Sequence, residues 1–135
     1  MVKFVHDLKD NGFRIGILTN NVREFREMWW PLMDFEDVFD IAAADFVPKP
    51  ERTAYEKFLH RHGVDPTRSA LFEDIAKNLV VPHDLGMATV LVVPRTIDPF
   101  RESFEQEAVR APHIDHITND LAGFLTDRVA PAVAA

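Results

Sequence analysis

The chain has 135 residues, of which 47% are hydrophobic and 27% are charged, and 22 acidic against 15 basic side chains give it a formal net charge of −7. This composition predicts one globular domain over residues 1–129 with a flexible tail at 130–135, and it excludes a disordered chain. An acidic chain without a block of Lys or Arg is also a poor nucleic-acid binder. The absence of cysteine excludes disulfides and thiolate metal sites.

The sequence gives no sign of export or of membrane insertion. Residues 1–10 alternate charged and apolar side chains, which is not the pattern of a secretory signal peptide. No apolar run approaches the ~18 residues that a membrane span requires. We therefore expect a cytoplasmic protein that acts on a small molecule and binds neither membranes nor nucleic acid.

Apolar spacing and turn residues predict helices that alternate with strands along most of the chain. In chain order these are a helix at 2–8, a strand at 14–19, a helix at 23–33, a strand at 39–44, a helix from 50 to 63, a strand at 70–72, a helix at 78–85, strands at 89–93 and 113–118, and a helix at 121–129. Gly63 and Gly86 are placed to end two of the helices.

The predicted fold class is α/β, with a Rossmann-like open parallel sheet that has helices on both faces. The segment 89–93 is entirely apolar and rich in β-branched residues, which indicates a strand buried on both faces of a parallel sheet. In this architecture ligands bind at the carboxyl ends of the strands.

Three of the predicted strand ends carry groups that suit a phosphate and a magnesium ion. Thr19 and Asn20 follow the first strand, Lys49 comes after the second, and Glu73 and Asp74 end the third. A hydroxyl and turn amides can hold phosphate oxygens, an ammonium can offset their charge, and carboxylates can bind Mg²⁺. Each of these groups also has a structural explanation when taken alone. Thr19 and Asn20 could cap a helix, Lys49 could be a solvated loop lysine, and Glu73 and Asp74 could lie beside a helix N-terminus. Together they predict a Mg²⁺-phosphate site.

The order of these motifs resembles the haloacid dehalogenase (HAD) superfamily. The matching strings are Ile17-Leu18-Thr19-Asn20, Pro48-Lys49-Pro50, and Leu71-Phe72-Glu73-Asp74 with Asn78 and Leu85-Gly86-Met87, which correspond to motifs II, III and IV. Residues 72–79 are most similar to the pyrimidine 5′-nucleotidase-like branch. The resemblance implies Mg²⁺-dependent hydrolysis of a small phosphomonoester, with a nucleotide as one candidate.

The resemblance also implies a role for each residue of the site. It assigns phosphate binding to Thr19, Asn20 and Lys49, Mg²⁺ binding to Asp74 and Glu73, and support of the metal shell to Asn78. Lys49 is in addition the catalytic residue implied, because its ammonium would stabilise charge on the phosphate and on the nucleophile.

The sequence departs from this family at the nucleophile. Family members use an aspartate in an Asp-x-Asp-x-Thr motif ahead of the threonine motif, and this chain has no such motif. Asp7 and Asp10, the acids upstream of Thr19, have the wrong spacing and lie on a predicted helix. The family's first strand and cap domain are not recognised either. We therefore expect a truncated HAD core that is inactive as this chain alone.

The missing first strand has a structural consequence. In the HAD fold it lies between the strands that end at Thr19 and Asp74, so both would be left with an unpaired edge. Such edges pair with other chains, and we expect a homo-oligomer or a complementing chain there.

Three other classes of protein compete with a phosphatase. A non-catalytic module that binds phosphate and Mg²⁺, or a partner chain, agrees with the missing nucleophile. A phospho-receiver domain has its acids ahead of its threonine and lysine, which is the reverse of the order here. A dehalogenase needs the same missing aspartate. The six histidines are expected to have structural or surface roles.

Overall fold

The computed structural model describes residues 13–18, 38–39, 42–96, 99 and 110–129. The chain divides into two compact units, Met1–Lys49 with Ala122–Ala135, and Pro50–Leu121. The helices predicted at 2–8 and 23–33, and the candidate phosphate ligands Thr19 and Asn20, lie outside the described residues.

The first unit contains a short parallel strand pair. Strand β1 (Ile17–Leu18) pairs with β2 (Val38–Phe39), so that Leu18 lies opposite Phe39. Phe39 is almost fully buried. Both strands lie within or beside the predicted segments, and both are shorter than predicted.

The strand predicted over 39–44 is wrong at its carboxyl end, where the chain turns at residues 42–46. Asp45 and Phe46 have φ angles of 53° and 61°. This left-handed conformation is rare for residues other than glycine and cannot continue a strand. The turn is closed by the N–H of Asp45, which donates to the carbonyl of Ala42 at 3.1 Å. Phe46 is left 73% exposed.

The second unit is built on a three-stranded parallel sheet in the order β3-β4-β5. Its strands are β3 (Ala70–Glu73), β4 (Ala88–Val92) and β5 (His116–Thr118). Phe72 lies opposite Val90, which in turn lies opposite His116. A 3₁₀ segment (Ala76–Leu79) and helix α2 (Val80–Asp84) connect β3 to β4. The predicted parallel sheet is confirmed here.

Helix α1 (Arg52–His62) precedes this sheet in the chain and ends as predicted. Gly63 adopts the left-handed conformation, with φ 59° and ψ 38°, and its N–H reaches the carbonyls of Leu59 and His60. A side chain at this φ would be strained, so glycine is the suitable residue. The helix begins two residues after the predicted start at Pro50.

Strand β4 forms the centre of the core of this unit. Val90 and Leu91 are at most 2% exposed, and Thr89, which directly precedes them in the strand, is fully buried. Leu79 of the 3₁₀ segment and Tyr55 of α1 are also among the largest fully buried side chains. Burial of each large apolar side chain contributes about 1.5–3 kcal/mol to stability.

The last described segment is helical, as predicted. Helix α3 (Leu121–Phe124) continues as a π-helical segment over Leu125–Val129. Among the residues that the structure describes, no helix is long and apolar enough to cross a membrane.

Candidate functional site

The carboxyl end of β3 opens into an acidic segment, residues 73–79, which we call the acidic loop. Glu73 is the last residue of the strand and is only 9% exposed, whereas the side chain of Asp74 is exposed. Oε1 of Glu73 accepts hydrogen bonds from the main-chain N–H groups of Asp74 at 3.0 Å and Ile75 at 3.3 Å. One carboxylate therefore holds the loop backbone, and the adjacent one lies at the surface.

Asn78 is the third side chain of the acidic loop that carries an oxygen ligand. The residue is 4% exposed, and its Oδ1 has no hydrogen-bond partner among the described residues. A buried polar atom without a partner costs about 1–3 kcal/mol, so such atoms point to a ligand, water or ion that completes them. Oδ1 is thus a buried acceptor that no donor of the described residues satisfies.

The oxygen atoms of the loop fit Mg²⁺. Glu73 and Asp74 offer carboxylates and Asn78 an amide oxygen, which are the hard ligands that Mg²⁺ prefers. Within the described part of the chain, no group of three His, Cys, Asp or Glu side chains could hold a metal ion. Two carboxylates suffice for Mg²⁺, because this ion keeps several waters and commonly shares its coordination with a substrate phosphate.

A tyrosine of helix α1 reaches the acidic loop. The Tyr55 hydroxyl donates to the main-chain carbonyl of Asn78 at 2.7 Å, and both residues are buried. The pKa of Tyr55 is raised well above its ordinary value, first by burial and then by the negative charge of Glu73. The phenol therefore stays neutral and keeps its proton for this hydrogen bond.

A histidine from the segment before β5 holds another carbonyl of the same loop. Nε2 of His113 lies 3.0 Å from the main-chain oxygen of Ala76. A carbonyl can only accept, so Nε2 must carry the proton in this pair. The structural or surface role predicted for His113 agrees with this contact, but its attachment to the acidic loop was not predicted.

The predicted site residues fall in different parts of the molecule. Glu73, Asp74 and Asn78 come together in the acidic loop of the second unit, as their motif indicates. Lys49 belongs to the first unit, where it is half-buried in a turn between two prolines.

Comparison with known proteins identifies the family. Residues 1–92 match the family model of the haloacid dehalogenase-like hydrolases, which is more than half of the chain. The protein therefore belongs to the haloacid dehalogenase-like hydrolase family, and the superfamily predicted from motifs II to IV is confirmed.

Its relatives include both phosphatases and dehalogenases. The chain is 26% identical over 118 residues to a glyceraldehyde 3-phosphate phosphatase of Methanothermobacter thermautotrophicus, a match that covers 83% of this chain and 51% of the relative. In structure it is similar to a HAD phosphatase from Thermococcus onnurineus, with a TM-score of 0.70, 18% identity, and coverage of 93% and 54% of the two chains.

A second solved structure confirms the same fold. It is the L-2-haloacid dehalogenase of Xanthobacter autotrophicus with chloropropionic acid covalently bound, with a TM-score of 0.66, 18% identity, and coverage of 94% and 60% of the two chains. The predicted Rossmann-like α/β fold is thereby confirmed. The chain spans about half the length of the relatives that it matches.

Proposed function

We propose that the acidic loop binds Mg²⁺ and, together with Lys49, Thr19 and Asn20, binds the phosphoryl group of a small phosphomonoester. The observation that carries the proposal is the arrangement of the loop, in which Glu73 holds the backbone, Asp74 is exposed, and Asn78 keeps a buried oxygen without a donor. Family membership and the phosphatase relative support it.

Each residue contributes by its charge and hydrogen-bonding groups. Asp74 and Glu73 would hold the metal, which when bound neutralises negative charge on the phosphoryl oxygens. Lys49 would offset the remaining charge with its ammonium, and Thr19 and Asn20 would donate hydrogen bonds to phosphate oxygens.

Hydrolysis needs a nucleophile besides these groups. An Asp-x-Asp sequence occurs nowhere in the 135 residues, so in this proposal the chain binds substrate and metal without turnover on its own. The aspartate would be supplied by a complementing segment or a second copy that pairs with the strand edges of this core. The competing proposal is a binding module that never catalyses.

The substrate class is proposed at two levels. The broader proposal is a small phosphorylated molecule. The narrower proposal is a nucleoside monophosphate, which rests on the similarity of residues 72–79 to the pyrimidine 5′-nucleotidase-like branch. The phosphatase relative acts, by its name, on glyceraldehyde 3-phosphate, so both substrates belong in the same test.

The test combines binding and turnover on the purified chain. Calorimetry measures Mg²⁺ and inorganic phosphate binding for the wild type, Asp74→Ala and Lys49→Met, with the exposed helix-end variant Asp84→Ala as control. We expect Asp74→Ala to weaken Mg²⁺ binding by about tenfold or more. We expect Lys49→Met to weaken phosphate binding by about tenfold and Asp84→Ala to change neither.

Phosphate release from the two substrates, with Mg²⁺ or with EDTA, completes the test. Binding without release supports the proposed division between this chain and a separate nucleophile. Mg²⁺-dependent release that Asp74→Ala abolishes would show that the chain holds its own nucleophile. A folded chain that binds neither Mg²⁺ nor phosphate would overturn the proposal.

A further inference from the structure

We infer that Tyr55 is a positioning residue, whose hydroxyl sets the conformation of the acidic loop by holding the Asn78 main chain. The inference rests on the proposed function, because it concerns how the proposed metal site is kept in shape. The Tyr55 hydroxyl donates to a main-chain carbonyl and not to a group proposed to bind metal or phosphate, so Tyr55 is named a positioning residue and not a catalytic one.

The hydrogen bond joins two elements that are distant in sequence. Tyr55 lies on the buried face of α1, while Asn78 belongs to the 3₁₀ segment after β3. At 2.7 Å and in a buried environment, the bond is short and sheltered from competing water. The position of the loop is therefore coupled to that of helix α1.

The Tyr55 hydrogen bond holds the main chain of Asn78, whose side-chain oxygen has no partner among the described residues. The N–H of Asn78 donates to the Ile75 carbonyl at 3.0 Å, and its carbonyl accepts from Tyr55. Oδ1 has no partner of its own among the described residues. The direction of the buried amide is thus set by the fixed main chain on either side, and loss of the Tyr55 bond would release it.

Two other residues also hold the backbone of the acidic loop by hydrogen bonds. His113 holds the Ala76 carbonyl from the segment before β5, and Glu73 holds the N–H groups of Asp74 and Ile75. Tyr55 is the residue of this set that acts directly on Asn78. Its removal should loosen the end of the loop while the other contacts keep the segment folded.

The test compares Tyr55→Phe with the wild type and with Ser69→Ala. The Phe variant removes the hydroxyl alone. Ser69 makes the same type of bond, hydroxyl to main-chain carbonyl, at 2.7 Å to Asp65 before the opposite end of β3, so Ser69→Ala is the matched control. Two properties are measured by NMR, the amide hydrogen-exchange rates of the acidic loop without metal, and the dissociation constant for Mg²⁺.

We expect Tyr55→Phe to speed exchange of the Asn78 amide on the order of tenfold and to weaken Mg²⁺ binding by about the same factor, as for loss of one buried hydrogen bond. Ser69→Ala should leave both unchanged. Replacement of Tyr55 by 4-aminophenylalanine, which fills the ring site and donates an N–H, should restore both towards wild type. This replacement also decides the question if the Phe variant does not fold.

The possible results separate this inference from the proposed function. The role of Tyr55 would be overturned if Tyr55→Phe exchanged its loop amides at the wild-type rate. It would also be overturned if these amides exchanged faster than wild type in the 4-aminophenylalanine protein. If the wild type binds no Mg²⁺, the proposed metal site fails, while faster loop exchange in Tyr55→Phe would still support Tyr55 as the residue that holds the loop.

Discussion

The two ends of the three-stranded sheet differ in how they satisfy buried polar atoms. At the amino end, the Thr89 hydroxyl donates to the His113 carbonyl at 2.8 Å and accepts from the Asp115 N–H at 3.0 Å. The Asp115 carboxylate in turn accepts from the Thr89 N–H at 3.0 Å. Beyond the carboxyl end of β3, Oδ1 of Asn78 is buried without a partner among the described residues.

The two ends of the sheet therefore contribute differently to the protein. A polar network in which donors and acceptors are paired stabilises the fold, whereas an unpaired acceptor lowers stability and is retained where a ligand can use it. We therefore assign stability to the amino end and binding to the carboxyl end. The following experiments test this assignment.

The greatest loss of stability is expected for Thr89→Val. The change keeps the shape of a fully buried side chain but leaves the His113 carbonyl without its donor. We expect the free energy of unfolding to fall by about 2 kcal/mol. Urea denaturation measures the loss, and the exposed Thr126→Val, which breaks a bond to Ala122, is the control. A loss no larger than that of the control would contradict the assignment.

A smaller loss of folding stability is expected when Tyr55 ionises at high pH. The chain has a single tyrosine, so phenolate absorbance reports this group alone. Because burial and then Glu73 raise its pKa in the folded state, stability from the neutral phenol is complete below the unfolded pKa of about 10. It is lost as the pH rises from there towards the folded pKa.

The controls for this titration are Tyr55→Phe and Glu73→Gln. The Phe variant should lack the added loss of stability above about pH 10. Glu73→Gln should leave the pKa of Tyr55 raised, but by less, since burial is the larger cause. A tyrosine that ionises at its ordinary pH in the folded wild type would show that the phenol is not held as described.

The smallest loss of stability is expected for Asn78→Leu. The substitution removes a buried oxygen that has no donor among the described residues, so the metal-free protein should not be destabilised. Mg²⁺ binding should nevertheless weaken. Thermal denaturation in EDTA and a Mg²⁺ titration measure the two effects, and a destabilisation as large as that of Thr89→Val would remove the contrast between the two ends.

The parts of the fold that local patterns determine were predictable from the sequence. Gly63 marks the end of α1, and the apolar run at 89–93 marks the central strand, because both signals act within a few residues. The strand predicted over 39–44 failed because Asp45 and Phe46 turn the backbone in a left-handed conformation, for which neither residue is a strong signal.

The candidate site was predictable where its residues are neighbours in sequence. Glu73, Asp74 and Asn78 fall in one motif at one strand end, and they meet in the acidic loop. The contacts that hold this loop were not predicted, because Tyr55 and His113 come from elements far from it in the chain. Residue spacing carries no information on such pairs, which depend on how α1 and the segment before β5 pack.

The parallel order of β3, β4 and β5 also determines when the acidic loop takes shape. No two of these strands are joined by a hairpin, and the crossover between β3 and β4 contains the loop itself. Pairing of β3 with β4 must therefore bring together strands separated by a helix, which makes such contacts slow to form. During synthesis His113 can secure the loop only after β4 has emerged, so the loop gains its full set of contacts late.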